Sequence, residues 1–401
     1  MRAIYVDKNL PRVLAVRTLR RAWPGVVWSP LSHARVDDLP EPTLPGPSWL
    51  RVRNRQCGIC ATDLSLLLVK VDLAAAPLAL PGNSRFYLGH EVVGEVVEVG
   101  PQVRGIRPGQ RVVMESRFTG PTCFTQEIDP PCRFCAAGDT RLCENASLQR
   151  GPSGVGGGWG DGYTAHASEV RAVPDDLDDD QATLIEPMAV ALHGVLRRPP
   201  NDGEHVLIVG AGIIGLLTVQ CVKLIAPACR LTVVARYSHQ AEAARRLGAD
   251  TVLGGGDLYA QAAGVTGAKL YRAPLNRGML LGGFDLIYDC VGNTRTIHDA
   301  LRWARARGTV VLIGIDLALL RLDLNPVWYQ EVDLIGSHTF GAERSDGRVR
   351  HTFELVIDHL LAGHLQVGGL ITHRFDLADY RKAIDTALHK KSGAIKVTFV
   401  M

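Results

Sequence analysis

The sequence predicts an α/β protein in which a β-rich domain is interrupted by a doubly wound parallel sheet, and three observations carry that prediction. Before about residue 195 the chain holds short β-branched runs broken by Pro and Gly clusters, with no long amphipathic helix. From about residue 203, strands of four to six apolar residues alternate with helical segments, the spacing of βαβ crossovers. Near residue 337 that alternation stops. The expected division is residues 1–195 with 337–401 as one domain and 196–336 as the other, the tail returning to complete the first.

Composition narrows the classes of function. With 401 residues, 46% hydrophobic and 21% charged, the chain has room for two ordinary globular domains. A formal net charge of +3 is nearly neutral, so neither nucleic acid nor an anionic membrane surface is an expected partner. Met1–Asp7 reads as a first strand and not a signal peptide, because no apolar run follows Arg2. The longest uncharged run, Val206–Val222, is 17 residues with three Gly and one Gln, a strand, loop and helix and not a membrane span. A cytoplasmic protein is expected. Its nine Cys, four of them between 123 and 143, fit metal ligation in a reducing compartment better than a disulfide framework.

In chain order, Trp49–Arg53 and Glu91–Val99 are the clearest strands of the first domain. His205–Val209, Leu231–Val234, Phe284–Tyr288 and Thr309–Ile313 are the strands of the parallel sheet. Helices are expected around Thr352–Ala362 and Leu377–His389, then a terminal strand Ala394–Val400. Gly151–Gly162, with seven Gly, reads as a mobile loop, and Gly264–Gly283 as an insertion between a helix and a strand.

The second domain carries Gly210-Ala211-Gly212-Ile213-Ile214-Gly215 between an apolar strand and a helix, the context that makes G-x-G-x-x-G a dinucleotide fingerprint. The first Gly makes the turn, the second admits the pyrophosphate, the third lets helix and strand pack closely, and the helix N-terminus faces the phosphate charge. An acidic residue that holds the ribose hydroxyls is expected about 20 residues on. Counting from Gly215, that position is Ala235, followed by Arg236. A small residue and a guanidinium accommodate a 2′-phosphate that a carboxylate would repel, so NADP is expected in preference to NAD.

Two constellations suggest metal. Cys132, Cys135 and Cys143 follow C-x2-C-x7-C, and a structural zinc takes four ligands. Asp129, three residues before Cys132, is the expected fourth, with Cys123 the other candidate. The second set is dispersed. Cys57-Gly58-Ile59-Cys60-Ala61-Thr62-Asp63 offers two thiols, a hydroxyl and a carboxylate, and its Gly suits a tight turn at a strand end. With Gly89-His90-Glu91 and Glu186-Pro187 it supplies a soft sulfur, an imidazole and two carboxylates, the ligand types of an open catalytic zinc site.

Gly89-His90-Glu91-Val92-Val93-Gly94, continuing to Gly100 and Val103, resembles the signature of the zinc-containing alcohol dehydrogenases of the medium-chain dehydrogenase/reductase superfamily. Cys60–Asp63, the cysteine lobe at about 123–143, the glycine fingerprint and the strand end Asp289-Cys290-Val291-Gly292 stand in that family's order. Glu186-Pro187-Met188-Ala189 resembles its polyol, sorbitol, threonine and glucose dehydrogenase branch. The resemblance implies a GroES-like catalytic domain split around a Rossmann domain, with the active site in the cleft between them. It implies Cys60 and His90 as zinc ligands, with Glu91 and Glu186 as two carboxylates of which one binds zinc directly. Thr62 is then the hydroxyl that takes the alcohol proton, Asp63 a carboxylate behind the zinc site, and Cys57 a packed thiol.

Departures are also visible. Ser65 stands where the family's proton relay often has His, Ala235 replaces the NAD-type acid, and Asp129 the first Cys of the lobe. Arg20–Pro24 and Arg117–Pro131 belong to segments longer than the common pattern. The expectation is a zinc enzyme moving a hydride between a secondary alcohol (polyol, sugar or cyclitol) and NAD(P)+, as a dimer or tetramer, with a ketone as the product. The alternatives are a primary alcohol or aldehyde substrate, and a nucleotide-binding protein without turnover.

Overall fold

In the computed structural model, which describes residues 1–73, 85–115, 120–146, 148, 151–272, 274, 278–345 and 347–401, the chain falls into two units. One is Met1–Glu186 with Val367–Met401, the other Pro187–Gln366. The return to the first unit comes at Val367 and not at 337. Three elements after 337 explain this: the hairpin Ala342–Ser345 with Arg348–His351 and the helix Thr352–Leu361 all stay with the second unit.

The first unit contains two sheets. Strands β1 (Arg2–Asp7), β2 (Ala34–Asp38) and β4 (Arg85–Tyr87) form a small antiparallel sheet in the order β2-β1-β4. The larger sheet runs β19 (Ile371–Asp376), β20 (Lys396–Val400), β3 (Trp49–Gly58), β5 (Glu91–Val99), β6 (Arg111–Met114) and β8 (Val170–Ala172), with β7 (Gly162–His166) also paired to β3. Strand β3 shows why. Val52, Asn54 and Gln56 are buried while Arg51, Arg53 and Arg55 point outward, the period-two pattern of a half-buried strand. Arg51 and Arg53 meet Glu98 and Glu95 of β5 across the ladder, at 3.1 and 3.2 Å.

Two parts of this unit differ from the sequence reading. The longer N-terminal region builds a helix, Leu10–Leu19, capped by Asn9, and a 3-10 turn Pro24–Trp28. Gly151–Gly162 is no mobile loop from Gly156 onward. Trp159 is fully buried, its N–H donates to Leu88 O at 2.9 Å, and its carbonyl accepts from Ile4 at 2.8 Å. These glycines permit backbones to approach closely, so composition that suggested flexibility marks packing instead. Of the Arg117–Pro131 segment, residues 117–119 lie outside the described residues.

The second unit is a six-stranded parallel sheet in the order β11 (Thr251–Leu253), β10 (Arg230–Val234), β9 (His205–Val209), β14 (Phe284–Asp289), β15 (Ala304–Leu312) and β16 (Asp333–Gly336). In sequence order this is 3-2-1-4-5-6, the doubly wound Rossmann arrangement. Its core packs Leu207, Val209, Ile287 and Val310 of the sheet against Ile297, Ala300 and Leu301 of the helix Thr294–Trp303. The insertion at 264–283 forms a hairpin of β12 (Lys269–Tyr271) and β13 (Met279–Leu281), with residues 273 and 275–277 outside the described residues. The hairpin after β16 pairs β17 (Ala342–Ser345) with β18 (Arg348–His351).

Candidate metal centres and nucleotide-binding turn

The chain leaves β3 at Gly58 and enters the helix Ala61–Leu67 at Cys60, its extended N-cap residue. That change of direction presents the Cys60 thiol beside the first helical turn. Thr62 Oγ1 lies 3.6 Å from Cys60 Sγ, and Asp63 is completely buried. Ser65, where a relay His was absent, turns its hydroxyl back to Ala61 O at 2.9 Å. Cys57 is fully buried, and burial pushes its thiol well above the ordinary range, as befits a packed thiol.

Asp63 organises the next ligand. Its Oδ1 accepts the Gly89 N–H at 3.0 Å and lies 3.3 Å from His90 Nδ1. A carboxylate only accepts, so Nδ1 carries the proton and Nε2 is left with its lone pair for a metal. Without metal, burial would lower His90, but Asp63 and the Cys60 thiolate outweigh it and hold the imidazole well above its usual value. Metal uptake at this point therefore displaces a proton.

Cys60, His90 and Glu91 each place a ligand atom within 4.8 Å of the others. Around a tetrahedral zinc with bonds of about 2.0–2.3 Å, ligand atoms stand about 3.3–3.8 Å apart, so this donor set needs only small side-chain adjustment to close on one ion. Glu186 is also buried, at the start of the helix Ile185–Arg197, but does not join that group. Burial, opposed by His90 and reinforced by Glu91, pushes its carboxyl up to about 7. The sequence reading missed Lys396, whose buried ammonium is paired with Glu91 Oε2. A single charge inside the apolar strand Ala394–Val400 was the available signal.

The cysteine lobe corrects one expectation. Its four ligand atoms within 4.8 Å belong to Cys123, Cys132, Cys135 and Cys143, and Asp129 is not among them. Asp129 is exposed, whereas Cys123 is fully buried with its Sγ 3.6 Å from that of Cys143. Cys123 Sγ also accepts from Cys132 N at 3.3 Å and Asn145 Nδ2 at 3.2 Å. Four soft thiolates suit zinc better than three and an exposed oxygen. Burial raises Cys132, but N–H donors from Cys135 and Glu144 outweigh it and bring the thiol down to about 6, while burial lifts Cys143 to about 11.

In the second unit, β9 ends in a turn at Gly210, which has φ +98°, and Gly212 begins the helix Ile213–Ile225 without a side-chain cap. A Cβ on Gly215 would stand 1.8 Å from Gly210 O, so only glycine allows this strand and helix to approach as they do. The uncapped first turn, with Ile213 and Ile214, leaves backbone N–H groups for phosphate. After β10, Ala235 is buried and Arg236 exposed, its guanidinium 5.5 Å from the centre of the Tyr237 ring. Tyr237 in turn stacks on His239, with ring centroids 5.6 Å apart. This aromatic pair went unnoticed in the sequence.

Comparison with known proteins follows the same division. Residues 46–175 match the alcohol dehydrogenase GroES-like domain, and residues 214–362 the zinc-binding dehydrogenase domain. L-threonine 3-dehydrogenase of Legionella pneumophila is 29% identical, over 90% of this chain and 95% of its own length. L-idonate 5-dehydrogenase of Vitis vinifera is 28% identical, over 88% of each chain. A candidate zinc-binding dehydrogenase of Sinorhizobium meliloti, bound to NADP, superposes with a TM-score of 0.68 at 27% identity, over 92% of this chain and 95% of that one. Galactitol-1-phosphate dehydrogenase of Escherichia coli shares the fold over the whole of both chains, with a TM-score of 0.71 at 21% identity.

Proposed function

This chain belongs to the zinc-containing alcohol dehydrogenases of the medium-chain dehydrogenase/reductase superfamily, and from that premise we propose that it interconverts a secondary alcohol of the polyol or sugar class with its ketone, using NADP(H). The observation that carries the reading is the cluster of Cys60, His90 and Glu91, with Asp63 setting the imidazole tautomer. A zinc ion held by these residues would supply Lewis acidity to a substrate oxygen, and a bound nicotinamide would supply the hydride-transfer chemistry.

The chain's own groups divide the remaining work. Asp63 holds the proton on His90 Nδ1 and keeps Nε2 free. Thr62 Oγ1, beside the Cys60 thiol, receives the alcohol proton. Ser65 Oγ, committed to Ala61 O, does not extend the path, so the proton passes from Thr62 to water. Glu91 is the carboxylate within ligand range, and Glu186 a buried neighbour that shares its charge environment. Cys123, Cys132, Cys135 and Cys143 would hold a structural zinc.

The decisive experiment measures oxidation of a polyol and sugar-alcohol panel by metal-stripped and zinc-reloaded protein. Turnover that returns with zinc is expected; equal turnover without metal would sink the reading. Cofactor choice is tested separately. The KM for NADP+ should lie below that for NAD+, and Arg236→Ala should raise it about tenfold, the loss of one charge-assisted hydrogen bond. A clear preference for NAD+ defeats the assignment of Arg236 to the 2′-phosphate.

The protein also self-associates in this reading. In the connection between β15 and β16, Leu319 is 86% and Trp328 81% exposed, with Ile315 and Tyr329 also open, more apolar surface than solvent exposure favours. Light scattering is expected to give a dimer or tetramer, and Trp328→Asp to shift it toward monomer. Among the described residues no helix is long and apolar enough to cross a membrane.

A further inference from the structure

Gly58 is the last residue of β3, which lies between β20 and β5; it pairs with Thr398 on one side and Glu91 on the other. Its φ is not in the left-handed region, so the residue is not required by a turn, as the sequence suggested. It is required by space. A Cβ on Gly58 would stand 2.0 Å from Glu91 Oε2 and 3.1 Å from the carboxylate carbon. Lys396 and Glu91 meet through that gap, on strands that do not pair with each other.

The pair is almost wholly enclosed, Lys396 and Glu91 being 2% and 1% exposed. Lys396 Nζ also lies 3.4 Å from Ile59 O, and Ile59 N donates to Val397 O at 2.9 Å, so β20 grips the chain one residue before Cys60. Burying an ion pair rarely gains stability over apolar packing, so a lysine in this strand calls for a different explanation. Charge supplies one. Around a bound zinc the Cys60 thiolate and ionised Asp63, Glu91 and Glu186 would place more negative charge than the ion's two positive charges offset, and the Lys396 ammonium, set against Glu91, offsets part of the excess.

We propose that Lys396 is a positioning residue of the catalytic metal site: reaching across the gap left by Gly58, it fixes the rotation of the Glu91 carboxylate and balances its charge. The inference rests on the zinc-dehydrogenase reading and extends it to two residues that no part of the sequence reading singled out for this role.

Cobalt(II) added to the metal-stripped full-length protein is the probe, because its visible absorption reports ligand number and geometry. Spectra are read as differences against Cys60→Ala, which retains only the thiolate quartet. Lys396→Met is expected to shift the difference bands and weaken cobalt binding at this site tenfold or more, the usual effect of removing a group that orients a metal ligand. Lys396→Arg should restore the bands. Gly58→Ala, which drives a methyl against the same oxygen, should shift them too. In a Glu91→Gln background, Lys396→Met should add nothing, since its action runs through Glu91. NADPH binding and the quartet's absorption confirm that each variant is folded, and Lys396→Gln replaces any Met variant that is not. Wild-type bands and affinity in a folded Lys396 variant, or an effect undiminished in the Glu91→Gln background, would overturn the proposal. Wild-type protein with no Cys60-dependent bands would instead overturn the zinc-dehydrogenase reading beneath it.

Discussion

The two metal-ligand constellations of the first unit differ in how far the chain must travel to build them. The thiolate quartet draws all its ligands from Cys123 to Cys143, a short lobe shaped by turns and the four-residue helix Arg133–Ala136. The mixed set brings Cys60 from a helix cap and His90 and Glu91 from the entry to β5, with Asp63, Glu186 and Lys396 around them. A local set of identical soft donors closes on a metal with little help from the rest of the fold. A dispersed set of unlike donors needs a buried carboxylate to choose a tautomer and a buried ammonium to offset charge. The first arrangement suits a permanent structural ion, and the second leaves room for substrate.

That contrast breaks first at Cys60 and His90. Alanine at either is expected to lower zinc from two to one per chain and alcohol oxidation by about 1,000-fold or more, several kcal/mol of lost charge stabilisation, with NADPH binding unchanged. Loss of both metals together would mean the two sites are not independent. Next, Cys123→Ser should remove the other zinc and cost about 3–4 kcal/mol in urea denaturation, because metal binding there is folding energy, whereas Asp129→Asn should stay within about 0.5 kcal/mol. Equal effects would return Asp129 to the ligand set.

Glu186 sharpens the comparison through pH. Its folded-state carboxyl lies at about 7, above the ordinary 4.5, so the folded metal-free chain holds a proton that the unfolded chain releases. Stability therefore falls as pH rises from about 4.5 to 7, by roughly 3 kcal/mol from this group. Denaturation midpoints of metal-free protein at pH 5 and 8 should converge in Glu186→Gln, and a slope unchanged by that substitution would show the group is ionised throughout. Among the described residues of the cysteine lobe, Glu127, Asp129 and Glu144 are exposed and Asp139 is only half-buried.

Features set by neighbours in sequence were legible in it. The βαβ alternation, the Gly210–Gly215 turn and the strand Glu91–Val99 all rest on local periodicity or a local motif, and each stands where expected. Features set by neighbours in space were not. Gly58, Gly157, Gly158 and Gly160 carry the same residue type as a flexible turn, yet what demands glycine is a side chain or backbone arriving from elsewhere in the chain. Lys396 touches a residue 305 positions earlier, and the one signal around it, a lone charge in an apolar strand, does not say which residue it meets. Asp129 was favoured over Cys123 by spacing alone; burial reversed the choice.

The completion of the large sheet by β20 has a consequence for the order of assembly. Cys60, His90 and Glu91 leave the ribosome early, but the lysine that offsets Glu91 follows only after the whole second unit has been made, roughly 15–60 s later at ordinary synthesis rates. During that interval Glu91 faces β3 without its cation and β3 lacks one neighbour. Until β20 is made, the Gln56–Gly58 end of β3 lacks its partner strand and Glu91 lacks its cation, and that one strand supplies both.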